Sequence, residues 1–395
     1  MHQTLYIASG KALSKIFAMT PKPINSIYLV SELYPSGPIN QALNIVSSFD
    51  KNEVNAIVVT LFDERPESWM DKFVNKNIEI VQLHSSRKKI FEARKKLIEI
   101  INDRKIDVVH SSGFSADLVN SMLRKHVTTV STFRSHISDL AERANVITKI
   151  ISRSLFRFSM HKIDTIVGCS KSLARDMASD IGRKSEMVQN GADIDHYKPL
   201  DSQQKNSLRQ QLGIPADATA FVSVGALEPR KNMALIVKAF NELKNERLML
   251  FIVGEGDGRK ELEPLIGNNK HIRLIGKVND PLPYYQASDF LISSSLAEGL
   301  PNTVLEGMSC GLSCLLSDIG PHFEMLEYNS AAGKTFNRYS SSELASLINE
   351  ALNWNRKECA EASRSLVVNN LSKYCMASNY AKLYKQAIES KQAIK

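Results

Sequence analysis

The 395-residue sequence lacks long apolar runs and low-complexity tracts. Since a membrane-spanning helix needs roughly 20 consecutive apolar residues, the sequence predicts none. Residues 1–19 lack both a basic leader and a cleavage site after a long apolar core, which favours a cytoplasmic protein. The ordinary charged fraction of 23%, together with the missing low-complexity tracts, excludes a mainly disordered chain.

Paired cysteine motifs are also missing. The five cysteines are an odd number, and none forms a Cys-x-x-Cys pair or lies near a pair of histidines. We therefore predict reduced, mostly buried thiols and no metal site. The residues concerned are Cys169, Cys310, Cys314, Cys359 and Cys375.

The formal net charge of +8 is concentrated in the first half of the chain. Residues 1–200 hold 28 Lys and Arg against 21 Asp and Glu, whereas residues 201–395 hold 22 against 21. A basic first half suggests an anionic partner, such as a phospholipid surface or a phosphate-bearing acceptor. Nucleic acid is not predicted as a partner, because no platform of interleaved aromatic and basic residues is visible.

The chain is long enough for two domains, and each half alternates apolar runs with helical patterns. The predicted strands are 26–30, 56–61, 78–83, 108–111, 127–132, 165–169, 219–224, 249–253, 272–275, 289–293 and 313–317, and helical periodicity covers 39–49 and 89–102. This predicts an α/β protein with two Rossmann-like domains, whose ligands bind outside the carboxyl ends of the strands.

The domain boundary is predicted near residue 198, where a polar stretch follows a turn. We expect an N-terminal domain over 1–198 and a C-terminal domain over 199–372. Residues 1–24 precede the first strand, and either an amphipathic helix or a poorly ordered extension would fit them.

The segment 298–306 places two carboxylates at the start of a predicted helix that follows an apolar strand. Gly299 supplies a turn, Pro301 suits the first helical position, and Glu306 lies more than a turn inside the helix. Free N–H groups at the helix start suit a diphosphate, while a carboxylate can accept the paired hydroxyls of a ribose or hexose. The segment therefore predicts a binding site for a sugar nucleotide.

Four further segments occur with this one in a fixed order. They are 225–232, 251–256, 275–278 and 317–322. In this order the chain resembles the retaining glycosyltransferases of the GT-B fold, specifically the large family four, whose signature is two glutamates separated by seven residues. The resemblance covers 26–390 and is strongest over 220–330. It implies two Rossmann-like domains that face each other across a cleft, with a final helix in 373–395 that crosses back to the N-terminal domain.

The resemblance also implies roles for charged side chains. Glu298 contacts the transferred sugar near the reacting centre, and Glu306 accepts the ribose hydroxyls. Arg230 and Lys231 are the expected cations for the diphosphate, since Arg offers a planar fork and Lys a point charge. Further donor-binding residues are expected at Gly37, Gly225, Val278, Gly299, Leu300 and Asn302.

Two positions depart from the family pattern. Relatives commonly carry an Arg directly after the first glycine of the 225–232 loop, where this chain has Ala226. Either Arg230 supplies that charge or phosphate binding is weaker. Many relatives place a His after the fifth strand, where this chain has Arg134, with His136 two residues on. Both are acceptor-side candidates, although an ordinary polar loop residue also explains His136.

Basic triplets at 87–89 and 94–96 recur on one face of a predicted helix. Peripheral attachment to an anionic membrane, on the cytoplasmic face of the inner membrane, would use such a pattern. A solvated basic face above a core-facing stripe explains it equally simply, and we favour that interpretation.

As a whole, the resemblance implies a metal-independent retaining enzyme without a permanently bound cofactor. It would move a hexose from a UDP- or GDP-linked donor to a hydroxyl of a glycan or lipid-linked acceptor in cell-surface polysaccharide biosynthesis. Two alternatives remain open, a sugar-nucleotide epimerase of the same architecture and a non-catalytic nucleotide-sugar-binding protein.

Overall fold

The computed structural model describes residues 22–86, 89–137, 145–243 and 245–394. The described chain forms two parallel β-sheets flanked by helices. The predicted α/β class with two Rossmann-like units is therefore confirmed. Residues 1–24 were expected to form an extension. Residues 1–21 of it lie outside the described residues, and β1 begins at its last residue, Ile24.

The first sheet has seven strands in the order β3-β2-β1-β4-β5-β6-β7. The strands are β1 (Ile24–Val30), β2 (Val54–Phe62), β3 (Ile80–Ser85), β4 (Val108–Ser111), β5 (Thr128–Phe133), β6 (Thr165–Gly168) and β7 (Glu186–Met187). The helices are α1 (Gly37–Val46), α2 (Met70–Val74), α3 (Ile90–Asp103), α4 (Phe114–Ser121), α5 (Val146–Lys162) and α6 (Lys171–Ile181). The strand order reverses between β1 and β4, which is where doubly wound sheets bind ligands.

The second sheet repeats this arrangement with six strands in the order β10-β9-β8-β11-β12-β13. The strands are β8 (Thr219–Val224), β9 (Leu248–Val253), β10 (Ile272–Gly276), β11 (Phe290–Ser293), β12 (Ser313–Ser317) and β13 (Gly333–Phe336). The helices are α7 (Ser202–Gln211), α8 (Met233–Glu242), α9 (Arg259–Ile266), α10 (Leu282–Ala287), α11 (Asn302–Ser309), α12 (Gly320–Leu326), α13 (Ser341–Ala351), α14 (Arg356–Asn370) and α15 (Lys373–Ile394). Its reversal lies between β8 and β11.

Pro301 differs from its predicted place. It precedes the helix with φ −73° and ψ 116°, so α11 begins one residue later, at Asn302. The ψ value is extended rather than helical, which turns the backbone into the helix instead of starting it. The prediction that Pro301 is the first helical residue was therefore wrong by one position.

The last helix, α15, leaves the second sheet and packs on the first. Its Tyr380 hydroxyl lies 2.9 Å from Oγ1 of Thr132, and its Tyr384 hydroxyl lies 2.7 Å from Nδ1 of His110. All four side chains are buried. Because buried polar groups need hydrogen-bond partners, these contacts hold α15 in one position on the first sheet. The helix thereby links the two halves of the chain.

Candidate active site

The carboxyl ends of the two sheets face each other and enclose a cavity of about 490 Å³. Its walls come from the segments after β1, β5 and β7 in the first sheet and after β8 and β11 in the second, including the starts of helices α1 and α11. The predicted site residues that line it are Gly37, Arg134, Gly225, Arg230, Lys231, Glu298, Gly299, Leu300 and Asn302. The cavity therefore brings together side chains from both halves of the chain.

Glu298 is a largely buried carboxylate in this cavity that accepts three hydrogen bonds. Its Oε1 accepts hydrogen bonds from Nζ of Lys231 at 2.5 Å and Oγ of Ser295 at 2.8 Å, and its Oε2 accepts one from Nη1 of Arg230 at 3.0 Å. Burial raises the pKa of Glu298, but the charges of Lys231 and Arg230 outweigh it, so the net pKa lies below the ordinary value. Glu298 is therefore ionised at neutral pH.

The backbone holds Arg230 and Lys231 close to Glu298. Both lie in a 3₁₀ turn, Pro229–Lys231, that ends at Asn232 with a left-handed φ of 50°. The carbonyl of Arg230 accepts from the N–H of Leu296 at 2.8 Å, and the carbonyl of Lys231 accepts from Oγ of Ser294 at 2.9 Å. The loop after β8 is thereby fastened to the loop after β11, which explains why residues far apart in sequence meet.

The N-terminus of α11 opens onto the same cavity. No side chain caps this N-terminus. The N–H of Leu305 donates a hydrogen bond to the carbonyl of Pro301, the residue before the helix. Asn302 and Thr303 line the cavity. An uncapped helix start beside two cations can bind an anion such as a phosphate.

Glu306 and Val278 are not among the residues that line this cavity. Glu306 is 7% exposed, and its Oε2 accepts a hydrogen bond from the Tyr285 hydroxyl at 3.1 Å. Val278 is half-buried and packs against the core. Burial raises the pKa of Glu306 to about 7, although the hydrogen bond from Tyr285 opposes the rise. The role of Glu306 toward the ribose hydroxyls stays a prediction.

The raised pKa of Glu306 predicts a loss of stability as pH rises. Below pH 4.5 the carboxyl is protonated in both folded and unfolded chains, whereas between 4.5 and about 7 only the unfolded chain ionises it. The free energy of unfolding should therefore fall by up to about 3 kcal/mol across this interval because of this group. Glu306→Gln is expected to remove that part of the fall, as measured by urea unfolding at several pH values.

The exposed carboxyl of Glu261, in the same half of the chain, supplies the control. Glu261→Gln should keep the wild-type dependence of stability on pH. An unchanged dependence in Glu306→Gln would contradict the assignment.

Arg134 and His136 lie on the part of the cleft wall that the first half of the chain supplies. Nη1 of Arg134 donates to Oδ1 of Asn190, while Nε and Nη2 are buried and have no hydrogen-bond acceptor among the described residues. Arg134 also lines a second cavity of about 110 Å³, which shares Pro38 and Ser135 with the first. His136 lines only this smaller cavity, and its Nδ1 lies 3.9 Å from Asp176.

Direct contacts between the two halves close the cleft. Nδ2 of Asn302 donates to the carbonyl of Gly37 at 3.2 Å, and its Oδ1 accepts from Nε2 of Gln41 at 3.0 Å. Nδ2 of Asn190 donates to the carbonyl of Leu300 at 2.8 Å. The partners in all three contacts are more than 100 residues apart in the sequence, so the closed arrangement itself assembles the cavity.

Glu324 forms a further contact across the cleft. Its carboxylate accepts from the backbone N–H groups of Lys171 and Ser172, both at 2.6 Å, at the start of α6. A carboxylate at a helix N-terminus is stabilised by the helix dipole and by the unpaired N–H groups there. Glu324 therefore acts in the structure as a helix cap supplied by the opposite half of the chain.

Sequence reasoning missed Asn190 and Ser295 as site residues. Asn190 contacts both Arg134 and Leu300, and Ser295 hydrogen-bonds Glu298. For Asn190 the available signal was its position in an Asn-Gly turn, and for Ser295 its position two residues after the end of β11. Neither position predicts which residue the side chain will contact.

The predicted basic helix corresponds to α3, and residues 87–88 lie outside the described residues. Both Lys89 and Lys96 pair with Glu92, at 3.4 and 3.5 Å, and Nε of Arg94 donates to the carbonyl of Met122. These contacts agree with a solvated basic face above a core-facing stripe.

Two negative findings apply to the part of the chain that the structure describes. It contains no group of three or more His, Cys, Asp or Glu side chains placed to hold a metal ion. None of its helices combines the length and the apolar content needed to span a bilayer.

Two family models match the chain in succession. Residues 36–196 match Glycosyltransferase Family 4, and residues 204–366 match Glycosyl transferases group 1. The boundary between the matches falls in the stretch that joins the two sheets, so each sheet corresponds to one model.

Several proteins named as glycosyltransferases or glycolipid synthases are similar to this chain. It is 23% identical over 366 residues to the O-antigen biosynthesis glycosyltransferase WclY of Escherichia coli. This alignment covers 90% of this chain and 97% of WclY. It is 24% identical over 274 residues to the alpha-monoglucosyldiacylglycerol synthase of Streptococcus pneumoniae, and 25% identical over 244 residues to the UDP-Gal:alpha-D-GlcNAc-diphosphoundecaprenol alpha-1,3-galactosyltransferase of Escherichia coli. These two alignments cover 65% and 56% of this chain but only 61% and 60% of the relatives' lengths.

Solved structures share the fold. The structure of HepE from Anabaena in complex with UDP has a TM-score of 0.77 at 17% identity and covers 92% of this chain and 100% of HepE. The structure of WaaG, a glycosyltransferase involved in lipopolysaccharide biosynthesis, has a TM-score of 0.67 at 16% identity and covers 91% of this chain and 99% of WaaG. These likenesses extend across both sheets and confirm the predicted GT-B arrangement.

Proposed function

Because this chain belongs to the family 4 and group 1 glycosyltransferases of the GT-B fold, we propose that the cavity between its two sheets binds a nucleoside diphosphate hexose. The donor sugar would be UDP- or GDP-linked, and it would pass with retention to a hydroxyl of a glycan or glycolipid. The observation that carries the proposal is the contact of Arg230, Lys231 and Glu298 beside the open start of α11.

The diphosphate lies between Arg230 and Lys231 on one side and the first N–H groups of α11 on the other. Departure of the sugar leaves negative charge on the diphosphate, and donors aimed at that charge stabilise the transition state. Both cations are paired with Glu298 before the donor arrives. The donor phosphates therefore compete for cations that are already held in position, so little reorganisation accompanies binding.

Glu298 stays close to the anomeric carbon as an ionised group. Its two oxygens already accept three hydrogen bonds, which suits an electrostatic role better than nucleophilic attack. A fixed negative charge there stabilises the oxocarbenium character that develops when the glycosidic bond breaks. In the retaining reaction that the family resemblance implies, the leaving phosphate takes the acceptor proton on the same face of the sugar.

The acceptor enters from the side of Arg134. This guanidinium joins the donor cavity to the smaller cavity, and two of its nitrogens have no acceptor among the described residues. A buried cation with donors to spare suits an oxygen-rich or anionic group on the incoming molecule. The glycan and lipid-linked products named for the similar proteins support an acceptor of cell-surface polysaccharide or glycolipid biosynthesis.

A thermal-shift panel of UDP-, GDP- and dTDP-sugars tests the donor. A ligand that binds only the folded chain stabilises it by about 2.7 kcal/mol at roughly 100 times its Kd. We expect one nucleotide series to raise Tm, with UDP favoured by the UDP complexes of similar structures. Lys231→Met should abolish the shift, while the exposed Lys238→Met on α8 should retain it. No shift with any activated sugar would contradict the proposal.

Measurement of free nucleoside diphosphate then separates transfer from epimerisation. A transferase releases the diphosphate only when an acceptor extract is present, whereas an epimerase returns an intact nucleotide sugar. Release that depends on the extract is the expected result. Epimerised donor without release would contradict transfer.

A further inference from the structure

Helix α5 carries an exposed apolar face. Six of the fourteen large apolar side chains that are exposed in the described residues lie on it, so exposure is concentrated on this one element. They are Val146, Ile147, Ile150, Ile151, Leu155 and Phe158, with exposed fractions from 41% to 71%. Single exposed apolar side chains are ordinary, but a contiguous row of them marks an interaction surface.

The apolar face points away from the protein core. The core side of α5 is occupied by Phe156, Ser159 and Met160, all of them buried. At roughly 100° per residue, the six exposed side chains fall on the opposite half of the helix. The helix therefore satisfies its packing with one stripe and presents a second apolar stripe outward.

Cations border the exposed stripe. Lys149, Arg157 and His161 lie at multiples of four residues along the helix, and of these Arg157 and His161 are exposed while Lys149 is half-buried. Between residues 145 and 163 there is no Asp or Glu. Apolar side chains that enter the acyl boundary, flanked by Lys and Arg that reach lipid phosphates, are the chemistry of a helix lying in an anionic membrane surface.

This charge pattern disfavours a second copy of the chain as the occupant. In a symmetric dimer formed through this face, the same patch would meet itself. Two rows of like charge would then approach each other in a low-dielectric interface, which is unfavourable. An anionic lipid surface complements the same row without that cost.

The inner side of α5 reaches the acceptor side of the cleft. Phe156 lines the smaller cavity, which shares Pro38, Arg134 and Ser135 with the donor cavity. A helix with its side chains is about 10 to 12 Å across, so the outer apolar face lies about one helix diameter from this cavity. A head group held at the membrane surface beside α5 would be close to the place where an acceptor must enter.

We propose that α5 docks the protein on an anionic lipid surface and that the acceptor is a lipid-linked molecule reached across this helix. Docking follows from the surface of α5 alone. The identity of the acceptor rests on the proposed function. The predicted basic helix α3 is a weaker candidate, because Phe91 is its only large exposed apolar side chain among the described residues.

Co-sedimentation of the full chain with vesicles, without any donor, tests docking. The wild type should bind vesicles of phosphatidylcholine with phosphatidylglycerol, should not bind phosphatidylcholine alone, and should bind less at high salt. Replacement of Ile150, Ile151 and Phe158 by Ser should weaken binding by about tenfold or more. Lys149→Gln with Arg157→Gln should weaken it by about thirtyfold.

The matched control is Phe91→Ser with Lys95→Gln on α3, which should change binding by less than about twofold. Lys149 is half-buried and the other substituted side chains are exposed, and a Tm equal to that of the wild type verifies folding of each variant. Docking by α5 is overturned if the wild type stays in the supernatant, if phosphatidylcholine alone binds it equally, or if the α3 variant loses as much binding as the α5 variants. It is also overturned if light scattering shows a dimer that the Ser variant dissociates.

The same samples separate this inference from the proposed function. Vesicle binding needs no donor, and the donor-induced Tm shift needs no vesicle. If vesicles bind but no nucleotide sugar does, docking stands and the proposed function fails. If donor binds and turnover of a water-soluble acceptor analogue exceeds that of the lipid extract in both the wild type and the α5 variants, the lipid-linked acceptor is excluded.

Discussion

Glu298→Gln is expected to lower kcat by about 100- to 1,000-fold, the loss typical when one preorganised electrostatic group is removed from an active site. The neutral amide keeps the size of the side chain but removes the negative charge beside the anomeric carbon. It also releases Arg230 and Lys231 from their buried partner, so the cations become more available to the diphosphate. KM for the donor should therefore stay constant or fall while kcat falls.

This division between kcat and KM distinguishes a catalytic role from a structural one. A residue needed only for folding would lower the fraction of active enzyme and the Tm together. Steady-state kinetics at saturating acceptor, with Glu261→Gln as the exposed control, measures the difference. More than one tenth of wild-type kcat in Glu298→Gln would contradict the assigned role.

The fold was predictable because both halves of the chain carry the same local pattern. Apolar strands that alternate with helical periodicity predict a parallel sheet whatever surrounds them. Among the strands, the failures were confined to strand ends and to two short edge strands. The edge strands β7 and β13 were not predicted, since their sequences, Glu-Met and Gly-Lys-Thr-Phe, form no apolar run.

The candidate site was predictable as far as local motifs reach. The loops after β8 and β11 contain Arg230, Lys231 and Glu298, and the topology of a parallel sheet brings such loops to one edge. Glu306 shows where that reasoning stops. Its place inside a helix follows from spacing, but its burial depends on Tyr285 from α10, a contact that no local pattern encodes.

Contacts across the cleft also escaped sequence reasoning. Gln41 and Asn302 are 261 residues apart, and they meet only because the two sheets adopt one relative orientation. The exposed face of α5 escaped for a different reason. Apolar periodicity is the same whether the stripe faces the core or the outside, so exposure becomes visible only when Phe156 and Met160 are seen to occupy the core.

Gly299→Ala is expected to lower turnover by about 100-fold or more, because it separates the two halves of the site. A Cβ on Gly299 would overlap the backbone carbonyl of Arg134 and lie 2.8 Å from Sγ of Cys169, both of them in the opposite half of the chain. Neither obstacle is a flexible side-chain tip, so the cleft has to open to accommodate the methyl group. A displacement of about 1 Å between reacting groups can cost about 100-fold in rate.

Gly37→Ala provides the comparison. Its Cβ would lie 3.3 Å from Nδ2 of Asn302, the end of a side chain that can move aside. We expect a much smaller loss of turnover than in Gly299→Ala.

Small-angle X-ray scattering should show an expanded chain for Gly299→Ala only. The donor-induced Tm shift should persist in both variants, since Arg230 and Lys231 lie in the same half of the chain as Gly299. Wild-type compactness and turnover in Gly299→Ala would show that closure across this glycine is not needed for the reaction.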